Sequence, residues 1–229
     1  MKCIQMIIFL VVFNYCMASQ VYAAPAYGTK LPERNRISAG VQSHIIFDRD
    51  LFRDQGEMRS QQQFLMISYG VTDWISLDVK GGSGNIRQHL ESGGQIRYET
   101  YMAGGYGFRM KFFEKEKTKA VFGFQHISVH PRTAVVQGVK HKAVLDDWQF
   151  SLLLSYDMDL LTPYLGARWS RMDYIHWQNG FRKRVKSDLD KSAGLIAGMN
   201  VPFSKNTWLN IEGNFIDATA VAASMNVSF

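Results

Sequence analysis

Cysteine is almost absent from this sequence, and the two cysteines that it has, Cys3 and Cys16, both lie within the first 23 residues. The rest of the chain can therefore form neither a disulfide nor a thiolate metal site. A secreted chain without cysteine cannot be a disulfide-stapled scaffold, so its stability must have another source.

Long apolar runs and strong charge are lacking as well. Beyond the N-terminal region, no apolar run approaches the roughly 18 residues of a membrane-spanning helix. Proline is sparse at 5 residues, and the formal net charge of +6 includes no long basic run. This mild charge argues little for nucleic-acid binding. The length of 229 residues suits one domain.

The N-terminus has the layout of a secretory signal peptide. Lys2 precedes an apolar run over 4–13, and small residues follow around Ala23. This pattern predicts cleavage before Ala24, with a cut after Ala26 as the alternative. A retained amphipathic anchor is a further alternative. The predicted organisation is a signal peptide over 1–23, a short N-terminal segment over 24–35 and one domain over 36–229.

The remaining sequence alternates between apolar and polar residues with a period of two. The alternation is unbroken for 18 residues over 95–112, whereas strands in globular sheets have roughly 3–10 residues. Ten such segments are predicted as strands: 36–47, 59–70, 74–83, 95–112, 119–130, 146–157, 162–176, 187–202, 207–216 and 219–229.

The connections between these segments alternate in length. Those at 70–73, 114–118, 158–162 and 203–206 are short, and those at 48–58, 84–94, 131–145 and 177–186 are longer and polar. Short turns on one side, longer loops on the other and an even strand number are typical of a transmembrane β-barrel. The predicted fold is therefore all-β, a closed antiparallel up-and-down barrel of about ten strands, with eight as the alternative. The last strand must pair with the first, because a lipid-exposed edge is not tolerated.

A soluble secreted β-barrel binding protein is the competing interpretation, and its apolar face would point inward. Three features favour the membrane barrel. The polar face repeats charges at two-residue spacing, aromatic residues such as Trp148, Tyr156 and Phe112 lie near strand ends as in membrane girdles, and the sequence stops on Phe229.

The last strand resembles the C-terminal signature of bacterial outer-membrane β-barrel proteins. The stretch YGVTDWISLDV at 69–79 is similar to a turn-and-strand segment of small proteins in the OmpA/OmpX/OmpW-like superfamily. The resemblance implies a place in the bacterial outer membrane, an N-terminal segment in the periplasm, and recognition of the last strand by the barrel-assembly machinery. The residues of this assembly signal would be Val221, Ala223, Met225, Val227 and Phe229.

For the function we expect a non-enzymatic barrel without cofactors, either a structural and surface-interaction barrel or a narrow polar channel. A barrel with so few strands has little room inside, so opposite charges could pair across the lumen and seal it, or line a constriction. The charges expected in the lumen are Asp78, Lys80, Arg97, Glu99, Arg109, Lys111, Arg168, Asp190 and Glu212.

The longer loops carry two basic clusters. On a bacterial outer surface, lipopolysaccharide phosphates are the nearest anions, and lysine and arginine bind them through charge-assisted hydrogen bonds. Simple solvation of the loops is the alternative. The residues of this possible contact are Lys140, Lys142, Arg182, Lys183 and Arg184. The first long loop contains the acidic residues Asp48, Asp50, Asp54 and Glu57. Their spacing fits no calcium motif, so no metal site is expected.

An enzymatic alternative rests on His126 and Ser128. A His-x-Ser sequence resembles the lipid A deacylase barrels, whose motif continues with Asn, but here Val129 follows and no Glu occurs in the next strand. A serine nucleophile needs a base within hydrogen-bond reach and a group that orients the base. We therefore predict no catalytic site, with His126 and Ser128 as the candidates if the alternative holds.

Overall fold

The computed structural model describes residues 28–52, 55–184 and 190–229. The signal peptide predicted for 1–23 lies outside the described residues. The strands are β1 (Ile37–Asp50), β2 (Glu57–Thr72), β3 (Ile75–His89), β4 (Gln95–Lys115), β5 (Thr118–His130), β6 (Ala134–Val136), β7 (Val139–Tyr156), β8 (Thr162–Gln178), β9 (Phe181–Arg184), β10 (Ala193–Pro202), β11 (Thr207–Phe215) and β12 (Thr219–Ser228).

Ten of these strands close into a barrel. The ring runs β1-β2-β3-β4-β5-β7-β8-β10-β11-β12 and returns to β1, and all of its neighbouring strands are antiparallel. The closing pair joins Ser38 to Ser228 and Ile45 to Val221. The prediction of a closed barrel with ten strands is confirmed, and the short β6 and β9 only extend hairpins at one end.

Several strands are longer than the sequence pattern predicted. β3 continues to His89, and β7 begins at Val139, so much of the predicted loops 84–94 and 131–145 is strand. These extensions lie at the end with the longer loops, which is the outer side in barrels of this kind. The barrel therefore rises beyond the membrane on that side.

The outward face carries a band of exposed apolar side chains. Leu65, Val79 and Leu165 are 67%, 60% and 67% exposed, while inward-facing Asp78 and Asn210 are 1% and 0% exposed. A soluble β-barrel has the opposite arrangement. An apolar outer face with a polar interior is favoured when the barrel is surrounded by lipid. In the described part of the chain, no helix is long and apolar enough to cross a membrane.

Above this band the two faces exchange their chemistry. Between Gly84 and Ile86 the pairing of β3 with β4 shifts, because one residue of β3 opposes two of β4. Such a bulge changes which side of a strand faces inward. As a result Ile96 and Tyr98 are buried inside the barrel. We call this outer part the crown; its apolar interior consists of Met58, Ile86, Ile96, Tyr98, Ile127, Val129, Leu145, Met172 and Tyr174.

Candidate functional site

The barrel lumen is the candidate site, and it holds most of the charges expected there. Asp78, Lys80, Arg109, Arg168 and Glu212 all point inward and are at most 5% exposed. Since the two strand faces alternate, each of these residues has outward-facing neighbours in the lipid band.

Four predicted lumen charges lie elsewhere. Lys111 is at the periplasmic mouth, partly exposed, where it pairs with Glu114. Arg97 and Glu99 are exposed on the outer surface of the crown, because the bulge turns the inward side of β4 over to Ile96 and Tyr98. Asp190 is exposed in the connection before β10, since that strand begins at Ala193 and not at 187. The prediction of a place in the lumen was therefore wrong for Arg97, Glu99 and Asp190.

A cross-lumen ion pair joins opposite walls of the barrel. Arg49 of β1 and Asp147 of β7 are five strands apart around the ring of ten, and Arg49 Nη1 donates to Asp147 Oδ2 at 2.6 Å. Arg49 Nη2 also donates to Ser170 Oγ at 2.5 Å. The side chains of Arg49 and Asp147 are 1% and 3% exposed. This pair therefore fills the middle of the lumen.

Two further ion pairs lie in the lumen, one beside the Arg49–Asp147 pair and one below it. Arg168 donates through Nε and Nη2 to Asp217 Oδ2 at 3.0 and 2.6 Å, and Arg49 Nη2 lies 3.8 Å from the same oxygen. Closer to the periplasm, Arg109 binds Asp78 through two parallel hydrogen bonds of 3.0 and 2.7 Å. Such bidentate pairs hold both side chains in a fixed geometry.

A chain of side-chain amides connects these charges. Lys80 Nζ donates to Gln125 Oε1 at 3.0 Å, Gln125 donates to Gln149 at 2.8 Å, and Gln149 donates to Asp147 at 2.7 Å. On the other wall, Tyr164 donates to Glu212 Oε2 at 2.9 Å. The lumen at this level is a connected polar network, and the cavity beside it has a volume of only about 30 Å³.

The crown closes the lumen on the outer side. Its apolar interior follows directly above the polar layer, and a hydrogen bond from Tyr174 Oη to Gln88 Oε1 at 2.8 Å crosses it. Tyr174 and Gln88 belong to β8 and β3, four strands apart around the ring. A solute that entered from outside would first meet packed hydrophobic side chains.

The N-terminal segment occupies the barrel mouth at the end with the short turns. Arg109 Nη1 donates to the carbonyl oxygen of Lys30 at 2.7 Å, and Lys30 Nζ lies 4.2 Å from the centre of the Trp208 ring. Thr29 is 3% exposed. Partial burial lowers the pKa of Lys30, since a buried environment disfavours the charged amine. Beside the segment, a cavity of about 410 Å³ opens at the same end of the barrel.

Sequence reasoning missed three of the central charges. Arg49 falls in a stretch predicted as loop, Asp147 is not among the charges expected in the lumen, and Asp217 lies in the short connection between β11 and β12. For Asp147 the signal was present, because it continues the inward alternation of Gln149 and Ser155. Nothing in the local sequence points to Arg49 or Asp217 as its partners.

The candidates for an enzymatic site lie on the outside of the barrel. His126 packs between the outward rings of Tyr106 and Trp148, with centroid distances of 5.2 and 4.4 Å. Ser128 Oγ donates its proton to Asp146 Oδ1 at 2.5 Å, so the His130 Nε2 at 2.8 Å must act as a donor towards it. In this arrangement the histidine is not positioned as a base for the serine.

The acidic and basic loop residues have separate places on the outer end. Carboxylates of Asp48, Asp50 and Glu57 gather within 4.8 Å of one another, and Asp54 lies outside the described residues. In the basic hairpin, Lys142 Nζ and the Arg182 guanidinium lie 5.0 and 5.4 Å from the centre of the Trp177 ring. Lys140 is exposed, while the side chains of Lys183 and Arg184 are outside the described part.

The last strand closes the barrel with its apolar side outward. Val221, Ala223 and Met225 are partly buried and Val227 is exposed. Phe229 is 66% exposed, and its backbone N–H donates to the carbonyl oxygen of Ile37 at 2.9 Å. The predicted assembly signal is therefore an outward row at the seam between β12 and β1.

A family described as Chlamydia major outer membrane protein matches residues 119–197 of this chain. The chain is also 33% identical over 64 residues to the major outer membrane porin, serovar C, of Chlamydia trachomatis, a match that covers 27% of this chain and 16% of the porin. The chain is a bacterial outer-membrane β-barrel. Because the match spans about a sixth of the porin, activity does not follow from it.

Among solved structures, similar folds are the translocator domain of the autotransporter NalP from Neisseria meningitidis and the outer membrane protease OmpT from Escherichia coli. The NalP domain has a TM-score of 0.46 and 11% identity, with 89% of each chain covered. OmpT has the same TM-score and identity, with 89% of this chain and 100% of OmpT covered.

Proposed function

We propose that this outer-membrane barrel is non-enzymatic and closed, and that it serves as a structural and surface-interacting protein and not as an open pore. The observation that carries the proposal is the Arg49–Asp147 pair, which joins opposite walls at 2.6 Å. Two groups that meet in the centre leave no continuous path between them. The crown interior above the pair and the Lys30 segment below it add a further obstruction at each end.

A narrow channel is the second candidate, because the polar layer includes a small cavity. Arg109, Arg168 and Glu212 line that cavity together with Gln125 and Gln149. Its volume of about 30 Å³ has room for about one water molecule. The cavity favours a hydrated polar core over a path for solutes.

Planar-bilayer recording separates these two candidates. We expect the refolded protein to insert without discrete conductance steps, since ions cannot pass the cross-lumen pair and the crown interior. Regular steps would contradict the closed barrel. If steps occur, Asp147→Asn should change their cation selectivity and Asp146→Asn should not, because Asp147 faces the lumen and Asp146 faces outward.

A role in lipid hydrolysis is not part of the proposal. Ser128 donates to Asp146 and lacks a histidine placed as a base, so we expect Ser128→Ala and His126→Ala to leave lipid A composition unchanged. Mass spectrometry of lipid A from cells with wild-type protein, either variant or no protein measures this. An acyl chain that is lost only in the presence of wild-type protein would contradict the expectation.

We also propose that the assembly machinery recognises the last strand. Phe229 is largely exposed and lipid solvates its ring, so its deletion should cost the folded barrel at most about 1–2 kcal/mol. We expect the deletion variant to reach the membrane in smaller amounts in cells, yet to refold from urea in detergent nearly as wild type. Heat-modifiable gel migration measures both. Normal assembly in cells with failed refolding in vitro would make Phe229 a packing residue.

A further inference from the structure

Three arginines stand side by side on the outer surface of the crown. Arg59 of β2 is directly opposite Arg87 of β3, and Arg87 is directly opposite Arg97 of β4. All three are exposed, and each neighbours a residue of the crown interior in its own strand. Residues directly opposite on antiparallel strands have Cβ atoms about 4.5–5.5 Å apart. We call these residues the arginine row.

The row concentrates positive charge at a cost to the fold, because like charges directly opposite each other destabilise a sheet. Arg59 has a carboxylate near one end, since its Nη2 lies 3.9 Å from Glu57. Arg97 Nε donates to the neutral Gln95 side chain at 2.6 Å. Within the described ranges, Arg87 and Arg97 form no ion pair. Two of the three charges are thus left for an external anion.

An open cavity of about 440 Å³ lies beside the row. Its wall includes Arg87, Arg97 and Arg132, one carboxylate, Glu99, and the polar side chains of Asn85 and Thr100, so three positive charges face one negative charge. This volume falls within the range of roughly 300–1,000 Å³ that is typical of small-molecule sites. The planar guanidinium group binds phosphate through two parallel hydrogen bonds. The chemistry fits a phosphorylated sugar, whose hydroxyl groups would meet Asn85 and Thr100.

The height of the row above the membrane selects among anionic lipids. Val79 pairs with Tyr106, whose ring contacts that of His126 in the outer aromatic belt. Arg87 follows Val79 by eight residues, which places it about 20 Å above the belt for a strand tilted by about 40°. A phospholipid headgroup layer adds only about 5–8 Å to the hydrocarbon core. A lipid must carry several sugars to reach the row.

We propose that Arg59, Arg87 and Arg97 bind the phosphorylated sugar headgroup of lipopolysaccharide in the outer leaflet. Ligand phosphates would neutralise Arg87 and Arg97, and the repulsion along the row would then fall. The arginine row is separate from the basic loop clusters at Lys140 and Arg182. Binding at the row does not depend on whether the lumen conducts ions.

The test compares purified barrels in detergent, with and without added lipopolysaccharide, by thermal unfolding and by a direct binding titration. Lipopolysaccharide should raise the unfolding temperature of the wild-type protein. Arg87→Gln should weaken binding at least about tenfold, since it removes a charged hydrogen-bond donor. Arg87→Glu should abolish binding but raise the unfolding temperature without ligand, because Glu would pair with both neighbours. A merely structural arginine would not give these opposite changes.

Matched controls remove the same charge at the other end of the barrel. Lys115→Gln and Lys205→Gln, both exposed near the periplasmic turns, should leave lipopolysaccharide binding unchanged. The double variant Lys140→Gln/Lys142→Gln measures separately how much the basic loop cluster contributes to lipopolysaccharide binding. Phosphatidylglycerol vesicles and inorganic phosphate are tested in parallel, and an equal shift with either would overturn the assignment to lipopolysaccharide. Unchanged binding by folded Arg87→Gln would overturn the site itself.

Discussion

Asp147→Ala is expected to lower the free energy of unfolding by about 3–5 kcal/mol, because it leaves the Arg49 guanidinium buried and unpaired in the lumen. The side chain of Arg49 is 1% exposed and cannot turn towards water. Its remaining carboxylate neighbour, Asp217, is 3.8 Å away and already accepts two hydrogen bonds from Arg168. Equilibrium unfolding in urea, followed by tryptophan fluorescence, measures the change.

The control lies at the next position of the same strand. Asp146→Ala removes a carboxylate on the outer face that is 25% exposed, and we expect it to cost less than about 1 kcal/mol. The double variant Arg49→Met/Asp147→Leu removes both charges and should recover most of the lost stability. If Asp146→Ala were the more damaging change, β7 would face the lumen with the opposite set of residues.

Leu152→Arg is expected to lower the free energy of unfolding by about 2–4 kcal/mol in phospholipid vesicles, since it places a charge at the middle of the lipid-facing band. Leu152 is 52% exposed and lies midway between the outward aromatic residues Trp148 and Tyr156 of β7. Lipid cannot solvate the guanidinium at that depth.

The comparison variant is Gln61→Arg, which also faces outward but belongs to the crown. We expect it to change the stability by no more than about 0.5 kcal/mol, as for most exposed substitutions. Urea titration of the refolded proteins in vesicles measures both variants. Equal, small effects would contradict the position of the membrane band, and so would a wild-type protein that stays monomeric without detergent.

The alternation of residue types is enough to predict the ten strands of the barrel and the lipid-facing side of the lower half. Leu152 and Leu154 alternate with Gln149, Ser151 and Ser155 over a full crossing, so the local pattern decides the face. The same pattern places Asp78 and Glu212 inside. These features are local, and sequence reasoning handles them well.

The cross-lumen contacts could not be predicted in this way. Arg49 and Asp147 are 98 positions apart, and their meeting depends on how many strands separate β1 from β7 around the closed ring. The predicted position of Arg97 in the lumen was wrong for a different reason. A bulge of one residue on β4 inverts the alternation beyond it, and neither Glu99 nor Thr100 has a side chain that marks such a bulge.

The boundary between the lipid-facing band and the crown also divides the molecule by the origin of its stability. Below it, apolar side chains face lipid, and unfolding within the bilayer would expose them to little new water. In the crown, Ile96, Met172 and their neighbours are buried away from water, so its unfolding exposes apolar surface to the aqueous phase. Only the unfolding of the crown is therefore accompanied by a large positive change in heat capacity. The crown should therefore account for most of the curvature of stability with temperature, and it is the part that cooling weakens.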